Sequence, residues 1–205
     1  MNIKRRAPSQ ERSKEMVSSI LDSAKRLIGR HGYDAVSMRE IAREAGISPA
    51  SIYQYFDDKN AILTELASRY YDMTFRMTTA LLARVQSMDD LESLLGEAVQ
   101  AIHRYFSSDA DGVAVWTAVI ASNALQTMDL SDCVKTAQAI VDRLIALQPG
   151  LRQEDIQPTC QLMVHVLTAT VRMALAMPDD QAQALLAEFP RVFAGRIRQI
   201  ATRAG

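Results

Sequence analysis

The sequence predicts an all-α fold of about nine helices, and three observations carry that prediction. Apolar residues recur at three- and four-residue spacing along most of the chain. Only 8 Gly and 6 Pro interrupt 205 residues, too few for the frequent turns of a strand-rich fold. Where Gly, Pro and short capping side chains do occur, they bracket the periodic segments. With 48% apolar and 23% charged residues, the composition is that of a soluble globular chain.

Taken in order, residues 1–10 lack periodicity and are expected to form a flexible basic arm. A first helix runs from about Glu11 to His31, with Met16, Ile20, Ala24, Leu27 and Ile28 on one buried face and Gly32 as its stop. Ser37 followed by Glu40 forms a capping box, so a short second helix starts at Ser37 and ends at Gly46. Ser48 caps a third helix, Pro49 suits its first turn, and Ile52, Tyr53 and Phe56 lie along it. Asp57 or Asp58 opens a fourth helix that continues to about Val85. Longer amphipathic helices follow near 88–107, 112–127, 131–148, 153–177 and 180–203. Pro190 is expected to kink the last of them.

Two short helices joined by a Gly-centred turn, residues 37–56, have the sequence form of a helix-turn-helix. The predicted organisation is therefore the arm, a helix-turn-helix DNA-binding domain at 11–65, and a helical ligand-binding and dimerisation domain at 66–205. The boundary between them is soft and falls inside the fourth helix, near Tyr70.

Charge is divided along the chain. Residues 1–60 hold 11 Lys and Arg against 8 Asp and Glu, and the remainder holds 12 against 16, so a net +3 precedes a net −4. Lys4, Arg5, Arg6, Arg12 and Lys14 crowd the first 14 residues. A basic N-terminal end suits a polyanionic partner, although a charged tail also serves as plain solvated surface. No apolar stretch is long and uncharged enough to span a bilayer, and no secretory signal opens the chain, so a cytoplasmic location is expected.

The stretch GYDAVSMREIAREAGISPASIYQYFDDKNAIL, Gly32 to Leu63, resembles the DNA-binding region of the TetR family of bacterial repressors. It combines a Gly-aromatic connector, a Ser-x-Arg helix start, an Ile-Ala pair, a Gly-Ile turn and an Ile-Tyr-x-Tyr-Phe run closed by Asp-Lys. The likeness extends over about residues 12–65. Ala50 departs from it, since many members have Gly there.

The resemblance implies a backbone clamp of Arg39, Tyr53, Tyr55 and Lys59, with Ser37 at the preceding helix start. Residue chemistry adds to this. Ser48, Pro49, Ala50 and Ser51 are small enough to let the third helix approach base edges. Ser51 can hydrogen-bond, Ala50 can touch a thymine methyl, and Gln54 matches adenine in bidentate fashion. Packing in a small bundle is the lesser alternative for Tyr53, as surface ion pairing with Glu40 and Glu44 is for Arg39. Lys59 opposes the helix dipole at its position, which asks for a reason other than helix stability.

Beyond residue 66, isolated polar groups in apolar helices pick out a small-molecule pocket at Phe75, His103, Trp116, Ile120, Asn123 and Met163, or alternatively a core with satisfied polar groups. Ten methionines suit a pliable cavity wall. The helices at about 153–203, with Leu185, Leu186, Phe189, Phe193, Ile197 and Ile200, read as a dimer interface, and the resemblance implies a four-helix bundle there. Cys133 and Cys160 form no CxxC pair, and His31, His103 and His165 share no ligand spacing, so neither metal nor cofactor is expected. No catalytic constellation is present.

The expected protein is thus a homodimeric, non-enzymatic transcription regulator. It would be a repressor released from a palindromic double-stranded DNA operator by a small-molecule effector, with the fourth helix as its lever. The rival is a small-molecule sensor or carrier whose N-terminal bundle mediates protein contacts.

Overall fold

A computed structural model describes residues 7–204, and their side chains from residue 11 to 203. Nine helices and no strand occur among the described residues: α1 (Ala7–His31), α2 (Met38–Glu44), α3 (Pro49–Ile52), α4 (Lys59–Leu82), α5 (Leu91–Ser107), α6 (Ala110–Ala121), α7 (Gln126–Leu147), α8 (Gln153–Leu175) and α9 (Asp179–Ala204). Helix α1 starts four residues before the expected Glu11. Ala7 and Pro8 explain the difference, because proline in a first turn forfeits only an amide that has no intrahelical acceptor. Of the expected arm, Ala7–Gln10 is therefore helical, and residues 1–6, with Lys4, Arg5 and Arg6, lie outside the described residues.

The chain divides into two compact units. The first comprises residues up to Tyr70 together with Asp109–Leu125, and the second comprises Tyr71–Ser108 and Gln126 onward. Helix α6, expected with the C-terminal body, thus groups with the N-terminal unit.

In the first unit the periodic face of α1 is buried as expected, with Ile20, Leu21, Ala24 and Ile28 at 1% exposure or less. Ile41 and Ala42 of α2, Ile52 of α3 and Ile62 and Leu63 of α4 complete this core. Helix α2 ends in a Schellman closure. The Gly46 amide donates to the Arg43 carbonyl and the Ile47 amide to that of Ala42, with Gly46 at φ 71°.

Helix α6 is fastened to α1 at its start. Asp109 caps it by accepting the Gly112 amide at 2.9 Å, and the other carboxylate oxygen pairs with Lys25. Nearby, a Cβ on Gly29 would lie 3.0 Å from Asp111 Cα and far closer to that side chain, so the two helices meet at a glycine. Trp116 is buried, its ring centroid 5.9 Å from that of Tyr70.

The second unit is built from α5, α7, α8, α9 and α4 from Tyr71 onward. Helix α9 packs on α5 and α8, and α7 packs on α8. Leu186, Phe189, Phe193, Ile197 and Ile200 of α9 are all buried inside the subunit, and Leu185 is half-buried. These residues, expected at a dimer interface, instead pack against the chain's own helices. Helical spacing marks a face that must be covered without saying which chain covers it. Pro190 does not end α9, which continues to Ala204, and its ring faces Gly96 of α5.

The expected helices at 112–127 and 131–148 are divided differently. Ser122 turns to an extended backbone, a single 3₁₀ turn spans Asn123–Leu125, and α7 then starts at Gln126 with Asp129 in its first turn.

Asp72, Asp129 and Asp132 draw together where α4 faces the start of α7, and the Tyr71 hydroxyl donates to Asp129 at 2.9 Å. Burial, reinforced by the charges of Asp129 and Asp72 and opposed by Lys135, pushes the Asp132 carboxyl up to about 6. An acid whose pKa is higher folded than unfolded weakens the fold once it ionises. Its contribution is therefore most favourable below pH 4 and is lost as pH rises through about 6. Asp132→Asn is expected to melt above the wild type at pH 7.5, and the gap is expected to close by pH 4, as differential scanning calorimetry across that range would record.

Candidate nucleic-acid interface

The geometry around the turn starts with α2. The Ser37 hydroxyl accepts the Glu40 amide at 3.3 Å, and the Glu40 carboxylate accepts the Ser37 amide at 2.9 Å and its hydroxyl at 2.7 Å. These bonds hold the Glu40 carboxyl below its usual range. They also commit Ser37 to starting the helix. Arg39, two residues on, is exposed and enters no ion pair among the described residues. Its expected alternative partners are occupied elsewhere: Glu40 by Ser37, and Glu44 by Arg26 at 3.4 Å and Arg30 at 3.8 Å.

Helix α3 is shorter than its periodicity suggests. It holds four residues, and tight turns carry the chain on to Tyr55. The Ser48 hydroxyl caps it, accepting the Ser51 amide at 3.1 Å, and lies 2.7 Å from the Ser51 hydroxyl. Pro49 and Ala50 are exposed at its tip. Ile52 and Phe56 turn inward, whereas Tyr53 is 55% exposed and so is no core residue. Gln54 is also exposed, with no side-chain hydrogen bond among the described residues, and Tyr55 is half-buried.

Lys59 has the structural reason that its position demanded. Its ammonium donates to the carbonyls of Tyr33 at 2.7 Å and Asp34 at 3.4 Å, and sits 4.2 Å from the centre of the Tyr33 ring. The Tyr33 hydroxyl donates to Asn60 Oδ1 at 2.6 Å. Burial, with Asp58 and Asp34 nearby, raises the Tyr33 pKa. One of the three ammonium hydrogens is left over for an outside acceptor. Sequence reading passed over Tyr33 and Asn60, although the Gly-aromatic connector was their signal.

The expected pocket residues fall in both units. Phe75, with Lys135 4.0 Å from its ring centre, His103 and Met163 belong to the second unit, and Trp116, Ile120 and Asn123 to the first. Ile120 and Asn123 are exposed. The second unit does hold an apolar cleft, and of the six only Met163 lines it. Its walls are aliphatic, so a search for isolated polar groups passed it by.

Among the described residues no group of His, Cys, Asp and Glu is placed to hold a metal ion, and no helix is long and apolar enough to cross a membrane. Both cysteines are free thiols, and burial pushes that of Cys160 up to about 12.

A capped two-helix turn that leaves Arg39, Tyr53 and Gln54 exposed defines a helix-turn-helix head of the kind regulatory proteins carry. Residues 20–66 match the profile of bacterial regulatory proteins of the tetR family, and residues 89–201 match that of the tetracyclin repressor-like C-terminal domain. The chain belongs to the TetR family.

Among curated relatives, the uncharacterized HTH-type transcriptional regulator YuxN of Bacillus subtilis is 40% identical over 62 residues, 30% of this chain and 21% of that protein. The HTH-type transcriptional regulator BetI of Agrobacterium fabrum is 34% identical over 104 residues, 49% of this chain and 47% of BetI. The chain thus spans between a fifth and a half of these relatives' length. Among solved structures, RolR in complex with resorcinol superposes with a TM-score of 0.59 over 95% of this chain and 96% of RolR, at 22% identity, a likeness of fold.

Removal of the capping hydroxyl in Ser37→Ala is expected to cost about 1 kcal/mol, within the range for lost caps. Urea denaturation would read it as a lower midpoint at unchanged slope.

Proposed function

We propose that the chain is a DNA-binding transcriptional regulator, a homodimer that represses from a palindromic operator until a small molecule releases it. The observation that carries this reading is the exposure of Arg39, Tyr53 and Gln54 on a rigidly capped helix-turn-helix, none of them held by an ion pair. A side chain such as Gln54 suits base edges, and Arg39 and the Tyr53 hydroxyl suit phosphate oxygens. Ser37, Ser48 and Ser51 spend their hydroxyls on local bonds, which leaves them to aim the helix. In this reading Lys59 braces the connector and offers its remaining N–H to the backbone.

Dimerisation is assigned to the outer faces of α8 and α9. With the inner face of α9 used within the subunit, an exposed row remains on α8, Leu162, His165, Ala169 and Met173, and on α9, Val192 and Gly195. Each row keeps three- or four-residue spacing. Leu162, Met173 and Val192 are all more than half exposed, an apolar burden that a partner relieves. Two heads in such a dimer would meet half-sites about 34–36 Å apart. The effector reading draws on relatives of this fold seen with small molecules, resorcinol in RolR among them. A coupling of about 1–3 kcal/mol would weaken operator binding by about 5–150-fold.

Two measurements test the reading. Fluorescence anisotropy with duplex DNA is expected to give steeply salt-dependent binding, and Arg39→Ala is expected to lower the log–log salt slope by about 1 at every sequence. An unchanged slope removes Arg39 from the phosphate contact, and no binding at low salt favours a sensor or carrier. Leu162→Glu combined with Val192→Glu is expected to convert dimer to monomer in light scattering and to abolish tight operator binding while each subunit stays folded.

A further inference from the structure

We propose that the second unit binds a carboxylic acid with a straight aliphatic chain, the chain in the cleft behind α5 and the carboxylate on Arg143. This rests on the effector reading above and names the chemical class of that effector.

The cleft draws its walls from α4, α5, α7, α8 and α9, with Leu82, Leu94, Ala98, Ile140, Met163 and Ile197 among them. Thr78 brings the one polar side chain, and neither an aromatic ring nor a charge lines it. A flat aromatic ligand finds no ring to stack on, and a polar one finds few partners. Apolar walls of this kind favour apolar guests. It offers about 50 Å³ of room for water-sized groups. At roughly 10–15 Å³ for each, that admits about three to five methylenes, so a longer chain inserts only its end.

The second observation is independent of the cleft's shape. Arg143 lies one turn beyond Ile140 on α7, and one guanidinium nitrogen donates to the carbonyl of Val85, itself a wall residue. Its Nε is buried and has no hydrogen-bond partner, and no carboxylate pairs with Arg143 among the described residues. A half-buried guanidinium with a free donor and no counter-ion is costly to maintain. An incoming carboxylate would take the Nε hydrogen and a second donor in the usual forked geometry. The Nε of Arg198 is likewise buried without a partner, but the rest of that guanidinium is neutralised by Glu92 at 3.2 and 3.3 Å. Aliphatic walls, and just behind them an uncompensated cation bonded to the carbonyl of the wall residue Val85, describe an amphiphile with one negative head.

The test is thermal-shift and calorimetric titration of the full chain with straight-chain monocarboxylates from butanoate to octanoate, with 1-hexanol and phenol as controls. Affinity is expected to tighten about fourfold per added methylene and then level off once the cleft is full. A hundredfold excess over Kd is expected to raise Tm by about 5–10 °C. Ala98→Leu fills the cleft and is expected to weaken acid binding at least tenfold. Ala98→Val gives the same test in a gentler form should the larger change disturb folding. Arg143→Met is expected to erase the preference for hexanoate over 1-hexanol while leaving alcohol binding in place.

Binding of phenol without binding of the acids overturns the inference, as do acids that bind equally well to the filled variants. Either result leaves the regulator reading intact if duplex DNA is still bound. Acids that bind as described without weakening operator binding uphold the site and overturn release by ligand.

Discussion

Two hydrogen bonds at Gly46, from its own amide to Arg43 and from Ile47 to Ala42, hold the chain reversal on which the head depends. They require a positive φ that a side-chain-bearing residue adopts only with strain. Neither α2, with seven residues, nor α3, with four, would persist alone in water. The closure at Gly46, the capping box at Ser37 and the Ser48 cap fix both ends of α2 and the start of α3. The buried faces of Ile41, Ala42 and Ile52 then lock the pair against the α1 core. Exposure of Tyr53 and Gln54 follows from this arrangement, because the two residues after Ile52 have nowhere inward to go.

Local signals made this part of the molecule legible. Caps, Gly-ended helices and a Pro-started turn act within a few residues, so a one-dimensional reading recovers them with their register. The same reading found the inner face of α9 and misjudged its partner, because hydrophobic spacing reports that Leu186, Phe189 and Phe193 need covering and is silent on what covers them. The cleft was out of reach for a related reason. Its walls come from five helices, and no wall residue looks unusual in its own segment. The grouping of α6 with the head was equally hidden, since Lys25 and Asp109 meet across 84 residues of chain.

Electrostatics separates the residues that build the head from those left to act. Glu40 and Glu44 are consumed by Ser37, Arg26 and Arg30, and Lys59 by the connector carbonyls. Arg39 is left unneutralised, exposed as Tyr53 and Gln54 are, in a region whose sequence is already net positive. The same logic distinguishes Arg143 from Arg198 in the second unit. In both places the informative cation is the one the fold does not spend.

Glycine in the last turns of α1 weakens that helix by up to about 1 kcal/mol relative to alanine, a sacrifice with no benefit to α1 itself. The benefit lies across the gap, where Asp111 occupies the space a methyl group would fill. In divergent descendants a bulkier residue at position 29 would force α6 to retreat, and the Lys25–Asp109 tie would stretch with it. Positions 25, 29, 109 and 111 should therefore drift together or not at all.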